Sequence, residues 1–292
     1  MNDLGGFREV QQLAYRCAEE TAAALEPGVT EKEVAARMRR WLEGHGVDDW
    51  FHLPFAWFGD RTAFRGIRIP FQFFPSDREL EEGMPYILDC APVRDGYTAD
   101  IGYSGSLGHN PVLDRLLGDL AEHRALIVDQ VRERRPLREV YEAVDALAAR
   151  QGFENRHRKY PFRVIAHQVD RLPAPRRSRS PIVGRFGVRS LRWLARTSAV
   201  ALRQGWSPLW NDTRFSDHPP RPGLWAVEPH LGLRGVGAKF EELLVVTDDD
   251  AFWLDDDLPH VRRWSRLAAD AAAGIVDTAE LPELPELPEV RS

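Results

Sequence analysis

The sequence is poor in cysteine, in long apolar runs and in leader-like features, and each scarcity excludes a class of protein. Its two cysteines, Cys17 and Cys90, cannot form a disulfide framework, so the expected location is a reducing cytoplasm. No run of about 18 apolar residues is present, which argues against a transmembrane segment. The first residues carry neither the basic nor the apolar part of a secretory signal, so we expect none.

Several common binding motifs are also missing. The chain has no phosphate-binding loop, no Gly-x-Gly-x-x-Gly in a βαβ context and no Cys-x-x-Cys. Its formal net charge of -6 argues against a nucleic-acid partner. Aromatic side chains are plentiful, with 9 Trp and 14 Phe in 292 residues, and they supply enough apolar surface for a folded core.

The order of predicted elements indicates an α+β fold. Helices are predicted over 7–25, 31–44, 111–134, 137–151 and 259–273, a hairpin over 85–105, and strands over 163–169, 224–228, 238–247 and 251–254. The aromatic stretch 47–76 is predicted to form short strands and loops. Because strands and helices do not alternate regularly, we expect helices packed on one face of a mainly antiparallel sheet.

The domain organisation follows from composition. We expect one domain over 1–273, with a basic insertion at about 171–220. The tail 274–292 repeats Glu-Leu-Pro three times, and its proline spacing forbids a helix, so we expect it to be disordered.

Two aspartates lie in the predicted hairpin. With Asp95-Gly96 as a two-residue turn, Asp100 lies opposite Ala91, two residues from Asp89. Both carboxylates then project from one face, with α-carbons about 7–8 Å apart. The flanking residues are apolar, so the pair is predicted to be buried and to resist ionisation. The carboxylates would share a proton, pair with buried arginine or bind divalent metal; alternatively, one of them ends a strand and faces water.

Other polar side chains sit in similarly apolar strands. His167 follows Val-Ile-Ala, where a hydrogen-bonded core histidine is the simpler interpretation. Glu228 closes the run 224–227, and a buried Glu needs a partner. Glu241 and Glu242 open another apolar run, and strand parity does not say which of them points into a site.

Taken in order, this set resembles the pita-bread metallopeptidase family, which includes methionine aminopeptidases, Xaa-Pro aminopeptidases and prolidases. The family pattern is Asp, Asp eleven residues on, then His, Glu and Glu, which here looks like Asp89, Asp100, His167, Glu228 and Glu241. The phrases Glu82-Gly83-Met84, Val227-Glu228-Pro229 and Phe240-Glu241-Glu242-Leu243 are also similar to the family's. That alignment selects Glu241 over Glu242.

The resemblance implies a single pita-bread domain with two divalent metal ions, Mn²⁺, Fe²⁺, Co²⁺ or Zn²⁺. Asp89 would hold one ion and His167 and Glu228 the other, with Asp100 and Glu241 bridging. Glu228 would also be the catalytic proton shuttle. The expected activity is hydrolysis of a peptide, as by an Xaa-Pro or methionine aminopeptidase. Alternatives are a creatinase-type hydrolase of a small amide or amidine, or a non-catalytic binding protein.

The sequence departs from the family where substrate is handled. Family peptidases carry two further histidines, and Gln72 and Ala174 stand at those spacings here. Gln72 can donate a hydrogen bond but cannot shuttle a proton. We expect Gln72, and His230 as a substitute histidine, to contact substrate; the alternative for His230 is a rim position without a catalytic role.

The segment 171–203 is basic. It contains nine arginines and no acidic residue. An apolar stripe, Val188, Leu191, Ala195, Ala199 and Leu202, runs beside a stripe of arginines at helical spacing. The segment is either a surface helix with solvated arginines or a cap that binds an anionic ligand, partner or lipid surface.

Overall fold

The computed structural model describes residues 3–173 and 181–273. Its helices are α1 (Leu4–Ala23), α2 (Glu31–Gly44), α3 (Pro111–Arg132), α4 (Leu137–Arg150), α5 (Val188–Arg203) and α6 (Pro259–Ala272). Its strands are β1 (Asp49–Phe58), β2 (Pro85–Arg94), β3 (Tyr97–Thr98), β4 (Ile101–Ser106), β5 (Glu154–Asn155), β6 (Ala166–Val169), β7 (Ile182–Val183), β8 (Phe186–Gly187), β9 (Leu209–Trp210), β10 (Gly223–Val227), β11 (His230–Leu233), β12 (Val236–Lys239), β13 (Glu242–Val246) and β14 (Ala251–Trp253).

The predicted helices form where their end signals place them. Thr30 and Glu33 make a reciprocal capping box, which starts α2 at Glu31 as expected. Asn110 accepts a hydrogen bond from the Leu113 backbone and starts α3. The helical predictions are therefore confirmed to within a few residues.

The strands form three antiparallel sheets. The first has the order β3-β2-β1-β8-β7, with β4 also paired to β2. The second has the order β14-β13-β10-β6-β9, and the third β12-β11-β5. An isolated bridge between Gly102 and Glu241 joins the first two sheets, so residues from both meet there.

The hairpin has the predicted register. Asp95 and Gly96 both have positive φ, 54° and 84°, as a tight two-residue turn requires. Arg94 pairs with Tyr97, and the same register continues to the pair Asp89–Gly102. Asp100 lies between β3 and β4, so the two aspartates share a face as expected.

Strand β1 differs from the prediction of short strands and loops. It is one ten-residue strand, buried along its whole length, between β2 and β8. Because both of its faces are covered, its sequence lacks the alternation that identifies a strand. Register shifts lie on either side of His52, and such irregularities can re-aim side chains near functional sites.

Helices cover the outer faces of the sheets. One apolar core lies between α1, α2 and the first sheet, and a second between α3, α4 and the other two sheets. Helix α6 packs on α3, where the Trp264 indole donates to the Leu117 carbonyl. No helix within the described ranges is both long and apolar enough to cross a bilayer.

Helix α5 forms where the basic segment predicts it, but with an unexpected orientation. Leu191 and Leu202 of the predicted apolar stripe are 37% and 44% exposed, whereas Ser190 is buried against the Trp50 carbonyl. Periodicity located the helix but could not say which side meets the protein. Part of the basic insertion (174–180) and the predicted tail 274–292 lie outside the described residues.

Candidate metal centre

The five predicted ligands converge on one buried point. Asp89 lies on β2, Asp100 between β3 and β4, His167 on β6, Glu228 just after β10 and Glu241 just before β13. His167 Nε2 lies 3.2 Å from Asp100 Oδ2. Ligand atoms of Asp100, His167 and Glu241, and likewise of Asp89, Glu228 and Glu241, lie within 4.8 Å of one another.

The two adjacent glutamates point in opposite directions. Glu241 Oε2 accepts a hydrogen bond inside the cluster. The carboxylate of Glu242, which is also buried, accepts bonds from Arg124 at 2.7 and 3.1 Å and lies 2.9 Å from His260 Nε2. Glu241 therefore belongs to the cluster, and Glu242 to an ion pair on the other side of the strand.

His52 is a sixth member that the sequence interpretation did not include. Its Nε2 lies 3.1 Å from Asp100 Oδ1 and 3.3 Å from Asp89 Oδ1. The signal for it was present, since His52 is a polar residue between Phe51 and Leu53. It was overlooked because β1 was not recognised as a buried strand.

Lys239 is a seventh member, also missed. Its Nζ donates to Asp89 Oδ2 at 2.5 Å and to Glu228 Oε2 and Glu241 Oε2 at 2.8 Å each. Its side chain is completely buried, and the Tyr160 hydroxyl lies 3.1 Å from Nζ. A lysine in the apolar run Gly237-Ala238-Lys239-Phe240 needs a partner for the same reason as Glu228, which is the signal that could have found it.

The cluster thus has two sides. The histidine side consists of His52, His167, Asp100 and the Oδ1 edge of Asp89. The lysine side consists of Lys239, Glu228, Glu241, the Oδ2 edge of Asp89 and the Tyr160 hydroxyl. The side chains of His52 and His167 are 10% and 8% exposed and that of Glu228 is 8% exposed, against 0% for Lys239, so the ammonium is the most enclosed group of the cluster.

The buried carboxylates of the cluster repel one another, so a positive charge beside them is strongly favoured. Burial raises the pKa of Glu241 well above its ordinary value, and the charges of Asp100 and Glu228 raise it further. Burial also raises the pKa of Glu228, although Lys239 opposes that shift. Burial alone would lower the pKa of Lys239, but Asp89, Glu228 and Glu241 together raise it well above its usual range. The ammonium is therefore firmly charged.

The surroundings of the two histidines also favour a positive charge. Burial opposes a charged His52, yet the adjacent Asp100 carboxylate raises the pKa of that imidazole to about 9. Burial likewise works against a charged His167, and its hydrogen bond to Asp100 raises the pKa. A proton or a metal ion must lie between each Nε2 and the facing carboxylate, because two lone pairs would repel each other there.

The histidine rings are already oriented for such an ion. His52 Nδ1 lies 3.0 Å from the Leu53 carbonyl and His167 Nδ1 lies 3.2 Å from the Gln168 carbonyl. Metal-binding histidines usually donate their second N–H in this way, which leaves Nε2 free as the ligand. Phe51 stacks on the His167 ring with centroids 4.7 Å apart, which holds it in place. The donor set on this side fits a divalent transition metal.

Of the two predicted substrate residues, Gln72 lies away from the ligand cluster in its hydrogen bonding, whereas His230 touches it through the Tyr160 hydroxyl. Gln72 is exposed, and its Oε1 accepts bonds from the backbone N–H groups of Arg68 and Ile69. His230 is fully buried rather than at a rim, with Nε2 2.8 Å from the Thr62 carbonyl and Nδ1 3.3 Å from the Tyr160 hydroxyl. Burial and the charge of Lys239 lower its pKa well below the usual value. Ala174 lies outside the described residues.

Comparison with known proteins places this arrangement in context. Residues 5–248 match the model of metallopeptidase family M24. The chain is 20% identical over 153 residues to an uncharacterized peptidase of Staphylococcus aureus, an alignment that covers 52% of this chain and 42% of that protein.

Two solved structures illustrate the structural similarity. An X-Pro aminopeptidase from Thermotoga maritima aligns with a TM-score of 0.57 at 18% identity, over 88% of this chain and 62% of that one. A prolidase from Thermococcus sibiricus aligns with a TM-score of 0.62 at 16% identity, over 88% of this chain and 60% of that one. The chain therefore spans less than two thirds of these proteins. At such identities the similarity shows the fold alone, and it confirms the predicted α+β pita-bread architecture.

Proposed function

The chain belongs to metallopeptidase family M24, and from that premise we propose that it is a metal-dependent hydrolase, namely an aminopeptidase of the Xaa-Pro or methionine aminopeptidase type. The observation that carries the proposal is the convergence of Asp89, Asp100, His167, Glu228 and Glu241, from separate strands, on one point. Its expected substrate is the N-terminus of a peptide.

The metal would be held by this cluster. A divalent ion bound there supplies a Lewis acid that polarises the scissile carbonyl and lowers the pKa of the attacking water. Mn²⁺, Co²⁺, Fe²⁺ and Zn²⁺ all suit imidazole and carboxylate ligands. The binding of two such ions stays a prediction, because the lysine side of the cluster already contains the ammonium of Lys239.

Glu228 is proposed as the proton carrier. Its side chain is 8% exposed, more than Glu241 or Asp100 at 2%, so it lies toward the open edge of the cluster. Burial raises its pKa, which brings a carboxyl group closer to the range where it takes and returns protons at neutral pH. Glu228 would accept a proton from water and pass it to the leaving amine.

Aromatic side chains shape the environment of the histidine side. The rings of Phe55 and Phe186 lie 5.1 and 5.9 Å from the His52 ring, and Phe51 covers His167. Such walls exclude water and favour an apolar residue beside the scissile bond. This supports a substrate with a small apolar or proline residue.

A second candidate is the hydrolysis of a non-peptide amide or amidine, as in creatinases. It is favoured by Gln72 and His230, since the Oε1 of Gln72 and both ring nitrogens of His230 are engaged by neighbouring groups. A peptide-handling role for either residue would require these bonds to break. A non-catalytic binding protein is the third candidate.

The test is an assay of the purified chain with Mn²⁺, Co²⁺ or Zn²⁺ against Met-initiated peptides, Xaa-Pro peptides and small amides. We expect a free N-terminal amino acid, detected by mass spectrometry, and no cleavage of the same peptide with an acetylated N-terminus. Cleavage of amides alone would favour the second candidate. A metal-loaded chain that cleaves neither class would contradict both.

The proposal also covers the cellular location of the chain and the role of the basic helix α5. Cys17 and Cys90 are both free and buried, which is consistent with a reducing cytoplasm. Helix α5 begins two residues after Phe186, beside the histidine side, and its exposed arginines would attract an anionic substrate or surface.

A further inference from the structure

The ammonium of Lys239 uses all of its hydrogen-bonding capacity on the cluster. An ammonium has three N–H donors. The three carboxylates Asp89, Glu228 and Glu241 lie within 2.5–2.8 Å of Nζ and satisfy these donors. The same three carboxylates form one of the possible metal-binding groups. A divalent ion and the ammonium would therefore compete for the same oxygen lone pairs.

The fold also makes room for the lysine stem. Gly102, opposite Asp89 in the hairpin, leaves the space through which Lys239 reaches the cluster. A Cβ at Gly102 would collide with Cε of Lys239 and press on Cδ and Cγ at 3.1 Å. The Lys239 backbone is fixed as well, because its N–H and C=O both bond to the Ser104 hydroxyl. The ammonium is thus directed into the cluster by its surroundings.

The Lys239 ammonium contacts neither of the carboxylate oxygens that face His52. Lys239 contacts Asp89 through Oδ2, whereas His52 faces Oδ1. Ligand atoms of His52, Asp89 and Asp100 lie within 4.8 Å of one another, and His167 approaches Asp100 from the other side. His52, Asp89 and Asp100 supply three protein ligands for one ion, and His167 adds a second imidazole that meets Asp100 at its other oxygen.

We propose that this chain holds one divalent ion, bound by His52, Asp89, Asp100 and His167, and that the Lys239 ammonium takes the place of a second ion between Asp89, Glu228 and Glu241. The inference rests on the proposed metal-dependent function but concerns the number of ions. It assigns His52 as a ligand and replaces the sequence-based prediction of two ions.

The test is the metal content of the whole purified chain after equilibration with Mn²⁺ and removal of free ion, measured by elemental analysis and by electron paramagnetic resonance. We expect about one Mn²⁺ per chain and the spectrum of an isolated ion. Two ions per chain, or the spectrum of an exchange-coupled pair, would overturn the inference and leave the proposed function intact. A chain without bound Mn²⁺ would overturn both.

Variants separate the two sides. In Lys239→Met the ammonium is removed while the stem is kept, so we expect a second Mn²⁺ to bind and a coupled spectrum to appear. Lys159→Met, at an exposed lysine, should keep one ion. A Lys239→Met variant that is folded by circular dichroism and still binds a single ion would contradict the assignment.

A further test does not require the Lys239→Met variant to fold correctly. Glu228 faces the ammonium in our assignment, so Glu228→Gln should keep one Mn²⁺ with its affinity changed less than about 3-fold. His52→Gln removes a direct ligand and should weaken the affinity by at least about 100-fold, more than the loss of a supporting group. Equal and large losses in both variants would indicate that the ion lies on the lysine side instead. Peptide hydrolysis measured in parallel reports on the function separately.

Discussion

The histidine side and the lysine side draw on neighbouring carboxylates but satisfy them differently. On the histidine side, neutral imidazoles bring lone pairs, and positive charge must arrive from solution as a proton or a metal ion. On the lysine side, the chain supplies its own cation, and its Nζ is fully buried. A set of ligands that matches the family pattern therefore does not fix the number of metal ions, because a single lysine can compensate part of the charge.

The largest effect that separates the two sides is expected from Lys239→Met in metal-free protein. Removing one partner of a buried ion pair leaves uncompensated charge and typically costs about 3–5 kcal/mol of the free energy of unfolding. We expect a loss of this size in urea unfolding at neutral pH with a chelator present, and a partial recovery when Mn²⁺ is added.

The pH dependence of this loss provides a check. Burial raises the pKa of Glu241 well above its usual value, so the folded state takes up protons that the unfolded state does not hold at neutral pH. Stability of the variant relative to the wild type should therefore improve as the pH falls. The exposed control Lys159→Met should differ from the wild type by less than about 0.5 kcal/mol. A loss below about 1 kcal/mol for Lys239→Met would show that the ammonium does not compensate the cluster.

Asp100→Ala should abolish metal binding on the histidine side. Both His52 and His167 approach this carboxylate through Nε2. Losing a group that merely supports a ligand costs about 10–100-fold in metal affinity or activity, so losing the shared ligand should cost at least about 100-fold in both. Mn²⁺ titration and the peptide assay measure the effect, and circular dichroism should show an intact fold. Wild-type metal content in this variant would rule out the assigned centre.

Glu241 and Glu242, adjacent at the start of β13, give a matched pair of variants. Glu242→Gln breaks the bond to Arg124 outside the cluster, and a buried, partly unpaired guanidinium costs about 1–3 kcal/mol. We expect lower stability in urea but an unchanged Mn²⁺ content. If Glu242→Gln lost its metal and Glu241→Gln did not, the orientation of this strand would be wrong.

The sequence predicted those parts of the centre that depend on local rules. The Asp95-Gly96 turn fixed the hairpin register, and that register placed Asp89 and Asp100 on one face. Polar residues in apolar runs drew attention to His167 and Glu228, but it was the resemblance to the metallopeptidase family that made them predicted ligands. Strand parity alone could not choose between Glu241 and Glu242, because the choice depends on the bridge to Gly102 that joins two sheets.

The missing members depend on tertiary structure. His52 sits on a strand buried on both faces, so its sequence shows no alternation to mark it. The role of Lys239 depends on the space left by Gly102, a residue more than a hundred positions away. The exposure of the apolar stripe on α5 could not be predicted for a related reason, since helical spacing does not reveal which side of a helix packs against the rest of the protein.

The smallest effect is expected from the basic helix, whose charges contrast with the buried ammonium. Arg192 and Arg196 are exposed on α5, where interactions between charges are worth about 0.2–1 kcal/mol and are screened by salt. If they attract an anionic substrate, the double variant Arg192→Ala/Arg196→Ala should raise KM for an acidic peptide by about 2–5-fold at low salt, with kcat unchanged. The difference should vanish at high salt and should be absent for a neutral peptide of the same length. An equal KM for wild type and variant at low salt would mean that these arginines are simply solvated, and that the cations that matter to the site lie inside the cluster.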